Sequence, residues 1–353
     1  MAHQPPLFAE SASSTAPVRP QPPDPAWAAL AETLPRHLRI GTSSWTYPGW
    51  AGLLWDGDYP DATLSKHGLA AYAQHPLFRT LSVDRNFYRA LSASQYAAYA
   101  AQVPDDFRFV VKAPSLVTDA LVRADNGRGQ QTNAAFLDAE LAVQDFVLPA
   151  LQGLGHKVGA LVFQLSPLPP QWLGRMPDVL ARLGRMPDVL ARLGRMLAAL
   201  PTLKPTAPDG VVAVEVRDPA FLTPDFVSVL RSAGATYCLG LHPKLPPIGE
   251  QLGMLRALWP GPLVCRWNLN RLHGAYGYED ARDLYAPFNA IVDPDPDTRF
   301  ALAKAVAGTI GRGQNAFVTI SNKAEGSAPL TVWALAQDVL AAMSLRMGTD
   351  RTP

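Results

Sequence analysis

Glu215 and Arg217 stand two residues apart near the end of VAVEVRDPAF, the stretch from Val212 to Phe221. Successive side chains of an extended strand alternate between faces, so these two share one face while Val214 and Val216 share the other. Charges enclosed by protein must be compensated. A like-facing acid and base at the C-terminal end of an apolar strand therefore forms an internal ion pair, or presents a general base beside a guanidinium clamp for an anion. Lys112 poses the same question at the end of FRFVVK, on the face shared with Arg108 and Val110. A desolvated lysine can have its pKa lowered enough to act as nucleophile or base, whereas beside an acid it stays charged. With Glu215 two strands away, an ion pair filling the space between them is the competing reading.

The elements that must position these groups repeat from Leu38 onward as a short apolar strand, a polar or Gly/Pro-rich turn, and a longer helical stretch. Eight strands are predicted: Arg39 to Ser43, Thr80 to Val83, Phe107 to Lys112, Ala160 to Leu165, Val211 to Val216, Thr236 to Leu239, Leu263 to Trp267 and Phe317 to Ser321. Helices are expected between most of them, as over Ser92 to Gln102, Phe136 to Leu151, Pro224 to Ser232, Thr298 to Thr309 and Leu330 to Met343. Alternating strands and helices predict a parallel sheet, and eight such units predict a single α/β domain, a (β/α)8 TIM-type barrel. An open doubly wound sheet is the alternative, but no GxGxxG follows the first strand. The barrel is assigned to residues 36–345. Before it, residues 1–35 are rich in Pro, Ser and Ala and read as a flexible tail, in which Trp27 and Leu30 could start a short docking helix. Residues 346–353 form a C-terminal tail. LGRMPDVLAR occurs twice in tandem over residues 173–192. It reads as a local duplication in a surface helix, broken by Pro177 and Pro187.

Catalytic groups of such a barrel gather where strands end. Those ends supply Trp45 and Tyr47, then Asp84, Asn86 and Tyr88, then Lys112, Gln164, Glu215 with Arg217, His242, Arg266 with Asn268, and Asn322 with Lys323. Glu215, Lys112 and Asp84 are the candidate catalytic residues. Arg217, Arg266, Tyr88, Asn322 and Trp45 are the candidate substrate-binding residues. Arg266 joins Arg217 in the proposed anion clamp. Trp45 and its aromatic neighbours in the first loop either stack on a ring of the substrate or lid the mouth against the helices. A hard cation held by Glu215, Asp84 and a histidine is weighed and not adopted, since His242 and His273 lie on separate loops and no HxH or CxxC pair exists. Cys238 and Cys265 read as small buried hydrophobes.

GTSSWTYPGW, NFYRALS, FRFVVKAPSLVTD, GALVFQLSP, VEVRDPAF, Arg266 in the seventh strand and ISNKAEGSAPLTVWAL occur in this order. Together they resemble the YecE-like uncharacterised family, also called domain of unknown function 72, over nearly the whole chain beyond the tail. The resemblance implies a barrel related to the triosephosphate isomerase fold and brings no established activity. It places the family's charged strand-end residues on Lys112, Glu215, Arg217 and Arg266, with Tyr88 and Asn322 also matching. The chain departs from the family pattern at Ser82 and Asp84 (usually Glu and Asn), at Asp119 (often His), at Asp218 and Phe221 (His and Trp), and at Lys323 (Asn).

The 31 basic and 30 acidic residues leave a formal net charge of +1, which argues against a general polyanion binder and makes nucleic acid an unexpected partner. Two cysteines hold no disulfide framework, and MAHQPPLFAE lacks a basic start followed by an apolar run. No segment approaches about 18 uninterrupted apolar residues, so a soluble cytoplasmic protein without a membrane span is expected. No motif specifies a cofactor. The favoured function is an enzyme acting on a small anionic substrate, a carboxylate or phosphate, at the barrel mouth. Metal-dependent phosphodiester processing and a non-catalytic metabolite- or protein-binding barrel are the alternatives.

Overall fold

The computed structural model describes residues 17–123, 129–168 and 179–349. Eight parallel strands close into a barrel: β1 (Leu38–Thr42), β2 (Phe78–Val83), β3 (Arg108–Lys112), β4 (Val158–Gln164), β5 (Val211–Glu215), β6 (Thr236–Leu241), β7 (Leu263–Trp267) and β8 (Ala316–Ile320). Neighbours in sequence are neighbours in the sheet, and β1 pairs with β8 to close it. Every strand lies within two residues of its expected bounds. A two-stranded antiparallel hairpin, Leu121–Arg123 with Gly129–Thr132, stands outside the barrel.

Alternation sorts the side chains into two apolar regions. Outward residues such as Leu81, Val111, Phe163, Leu239 and Val318 join the helices in one continuous core. Inward residues Val110, Ala160, Val162, Ala213, Cys238, Val264 and Phe317 form a separate cluster across the barrel's middle. Cys238 therefore faces inward and Cys265 outward, both buried and free, as expected of small hydrophobes. Charged layers bound the inner cluster at both ends. At the N-terminal end, Asp209 accepts from Arg39 at 2.9 Å, Arg108 at 3.0 Å and Asn315 at 3.2 Å. The other end is the site described below.

Gly41 on β1 makes the closest strand contact. A Cβ there would lie 1.9 Å from the Thr80 carbonyl oxygen of β2. Backbone cannot yield as a side-chain tip can, so Gly41→Ala is expected to destabilise by about 3 kcal/mol, read as a lower urea midpoint.

Three expectations are corrected. Of the segment assigned to a tail, residues 1–16 lie outside the described residues, but Val18 is buried, Pro20 bridges to Trp55, and the docking helix expected around Trp27 and Leu30 is present over Pro25–Thr33. Asp24 caps that helix, and Trp27 stacks on Trp333 at 5.2 Å. The apolar face carrying Leu30 and Ala31 outweighs the disorder-prone composition around it. At the other end, one helix runs over Ala328–Thr349, into the region assigned to a tail. It is long and apolar enough to cross a membrane, yet Val332, Leu335, Ala336 and Val339 pack fully into the outer core. Third, the first copy of the duplication falls partly outside the described residues, but the second does not break the helix. Val179–Ala199 is one helix through Pro187. Proline removes one hydrogen bond from it, whereas Val189, Leu190, Leu193, Met196 and Leu197 continue a buried stripe beyond that point.

Candidate active site at the barrel mouth

The last inward position of each contributing strand sets the site. Gln164 and Glu215 pair in register at the ends of β4 and β5, and Arg266 on β7 lies beside Gly240 of β6, where no side chain intervenes. Glu215 is fully buried, at 0% exposure, and both of its oxygens are engaged. Oε1 accepts from Arg217 Nε at 2.7 Å and Oε2 from Arg266 Nη1 at 2.7 Å. Gln164 Oε1 bridges the same guanidinium groups, accepting from Arg217 Nη2 and Arg266 Nη1, each at 3.0 Å. Arg266 Nη2 then donates to Asp84 Oδ2 at 2.6 Å, and Ser82 Oγ donates to Asp84 Oδ1 at 2.6 Å. A single network thus runs from β2 across the mouth to β5 and β7.

Burial alone would raise the Glu215 pKa, but Arg217 and Arg266 outweigh it and hold the carboxyl below the usual range. Burial likewise works against the charge of both arginines. Glu215 and the Tyr278 hydroxyl restore Arg217, and Asp84 and Glu215 restore Arg266. Glu215 is therefore a fixed anion. The general-base role expected for it does not fit this geometry, because a carboxylate charge-paired through both oxygens is a poor proton acceptor. Its role here is to position two guanidinium groups. Arg266 is spent inward on Glu215, Gln164 and Asp84, so the clamp reduces to Arg217, whose Nη1 takes no part in the bonds to Glu215 and Gln164 and which Tyr278 also meets.

Lys112 is the exception in this layer. It is 9% exposed, and its Nζ lies 3.4 Å from the centre of the Phe87 ring. Among the described residues no carboxylate pairs with it, the two in the layer being taken by arginines. Burial pushes the amine down to about 7, helped by Arg266 and Arg217 and opposed by Asp84 and Glu215. The ion pair between Lys112 and Glu215, the competing reading of the sequence, does not form.

Three expected binding residues are placed elsewhere. Trp45 is 5% exposed, donating from Nε1 to the Leu64 carbonyl at 3.0 Å and packing edge-on against Tyr99, so it lids the barrel wall. The loop after β1 turns it toward the helices. Asn322 Oδ1 accepts from Trp50 Nε1 at 3.2 Å and from the Ala328 amide at 2.8 Å, which fastens the first loop to the start of the last helix. Tyr88 is 85% exposed and touches Phe87 only by its ring edge, outside the network. Asp218 caps the short turn Pro219–Phe221.

His242 accepts from the Lys244 amide through Nδ1 at 3.0 Å. Burial and Arg217 lower its pKa to about 3, which leaves the ring neutral. His273 is remote, hydrogen-bonded to Tyr285. Among the described residues no three His, Cys, Asp or Glu side chains come together as metal ligands. Sequence reasoning missed Tyr278, which reaches Arg217 from a helix over Tyr278–Tyr285 instead of a strand end.

A family profile described as "Protein of unknown function DUF72" matches residues 39–351. The chain belongs to the DUF72 family. A DUF72 family protein from Enterococcus faecalis is similar in structure, with 15% identity, a TM-score of 0.54, and coverage of 87% of this chain and 95% of that one. A DUF72 family protein from Thermotoga maritima aligns at 14% identity and a TM-score of 0.45, covering 87% of this chain and 99% of that one. The first of these shows the barrel fold for this DUF72 chain. No curated protein matches the sequence.

Proposed function

We propose that this DUF72 protein is an enzyme that acts on a small anionic substrate, a carboxylate or a phosphate, at the C-terminal mouth of its barrel. One observation carries the reading. In a layer where Glu215, Arg217, Arg266 and Asp84 form one paired network, Lys112 is enclosed with no carboxylate partner among the described residues. An enclosed cationic group that the protein leaves unpaired is a binding site for a negative charge. Lys112 meets the substrate, Arg217 holds its anionic group through the guanidinium edge outside the network, and Glu215 and Gln164 keep that guanidinium in place.

The test is thermal unfolding against a panel of small carboxylates and phosphates. A compound present at about a hundred times its dissociation constant should stabilise the protein by roughly 2.7 kcal/mol, and Lys112→Met should abolish that shift. A shift of equal size in Lys112→Met would place the ligand elsewhere. The compound that binds is then the first one to assay for turnover.

A further inference from the structure

We propose that Lys112 forms a covalent imine with the ketone of a 2-oxo acid, whose carboxylate is held by Arg217. This rests on the reading of the mouth as an anion site and adds the reacting group. An ammonium meant only to anchor charge is best served by an acid or by a ligand's anion. Here the carboxylates of the layer are bonded to guanidinium groups, and the nitrogen of Lys112 lies instead against the face of Phe87. A guanidinium that can hold a carboxylate already stands in the same mouth, so the primary amine is left for a different task. Enclosure and two fixed cations also bring its pKa to about 7, which supplies free amine at neutral pH.

The step balances without any further reagent. The Lys112 ammonium first passes a proton to Asp84, an acid of the same layer whose side chain is 38% exposed, and the free amine then attacks the ketone carbon. Asp84 gives that proton to the resulting alkoxide, then takes a second proton from the nitrogen and delivers it to the carbinol oxygen, which departs as water while the C=N bond forms. In sum, ammonium and ketone give a protonated imine and one water. Two of the three nitrogen protons leave with the carbonyl oxygen. The positive charge ends on a nitrogen conjugated to the former ketone carbon, where it can accept electrons from a bond broken at the neighbouring carbon.

Pyruvate with cyanoborohydride at neutral pH tests this on the full chain. Hydride adds to the imine carbon, leaving a stable secondary amine, and trypsin then no longer cuts between Lys112 and Ala113. Labelling of Lys112 should exceed that of the exposed Lys66 by at least about tenfold, because the mouth holds a guanidinium for the carboxylate of the reacting acid and encloses the Lys112 amine. Acetone, which lacks the carboxylate, should label Lys112 far less than pyruvate does, and Lys112→Arg should remove the label from this peptide. Equal labelling of Lys112 and Lys66, or equal labelling by acetone, overturns the proposal. Thermal unfolding with lactate, a carboxylate without the ketone, separates the two levels. A shift with lactate and pyruvate but no label defeats the imine and leaves the anion site standing. No label and no shift, with none from the wider panel, defeats both.

Discussion

Replacing Glu215 with alanine destabilises the folded protein by about 3–5 kcal/mol, the range for removing one member of a buried charge network. Two guanidinium groups lose their shared acceptor at once, since each oxygen of Glu215 serves a different arginine at 2.7 Å. Arg266, 2% exposed, cannot reach water without dismantling the bridge through Gln164. Glu215→Gln preserves the shape but not the charge and should lose nearly as much. Urea unfolding at pH 7 reads both. A loss below about 1 kcal/mol would mean that the pairing energy only balances its desolvation cost, as at exposed pairs. Replacing Glu215, Arg217 and Arg266 together by apolar residues of similar size should recover most of the stability and none of the ligand binding.

Lys112→Met has the opposite sign. The lysine's pKa falls from 10.5 to about 7 on folding. Between those values the unfolded chain holds a proton that the folded chain has released, so wild-type stability rises with pH across that window. Below about pH 7 both states are protonated, and the full cost of enclosing the charge is present. Methionine fills similar volume and carries no charge. The variant should therefore be more stable than wild type by on the order of 3 kcal/mol at pH 6, and the gain should shrink toward zero by about pH 10.5. Melting temperatures measured on both proteins across that range decide it. A gain independent of pH would trace to packing and not to the charge.

Much of the barrel could be read from alternation. VVAVE on β5 places charge only at its last inward position, and RFVVK on β3 places it at the first and last with apolar residues between, which marks the two ends of the barrel interior. The partners of those charges could not be read. Arg266 bonds Asp84, Gln164 and Glu215, which come from β2, β4 and β5, so the pairing depends on how strands face one another across the interior. Register along a strand does not encode that. Trp45 misled because a loop's direction is set by what packs under it. Asn322 misled because an amide that clasps two loops has the same sequence signature as one that binds a ligand. The pairing of Asp209 with Arg39 and Arg108 was equally illegible, because Asp209 precedes β5 while its partners stand at the starts of β1 and β3.

Viewed from the chain, the molecule has a seam. Its earliest described elements meet its latest at three levels: β1 against β8 in the sheet, Trp27 against Trp333 in the outer shell, and Trp50 against Asn322 at the rim. Each contact closes a loop of roughly 300 residues, and because closure entropy grows only logarithmically, that length adds little to its cost in stability. It adds much to the time needed, since distant segments must find each other late. The seam is thus the line along which the ring zips up last, and along which amide exchange should first show it opening.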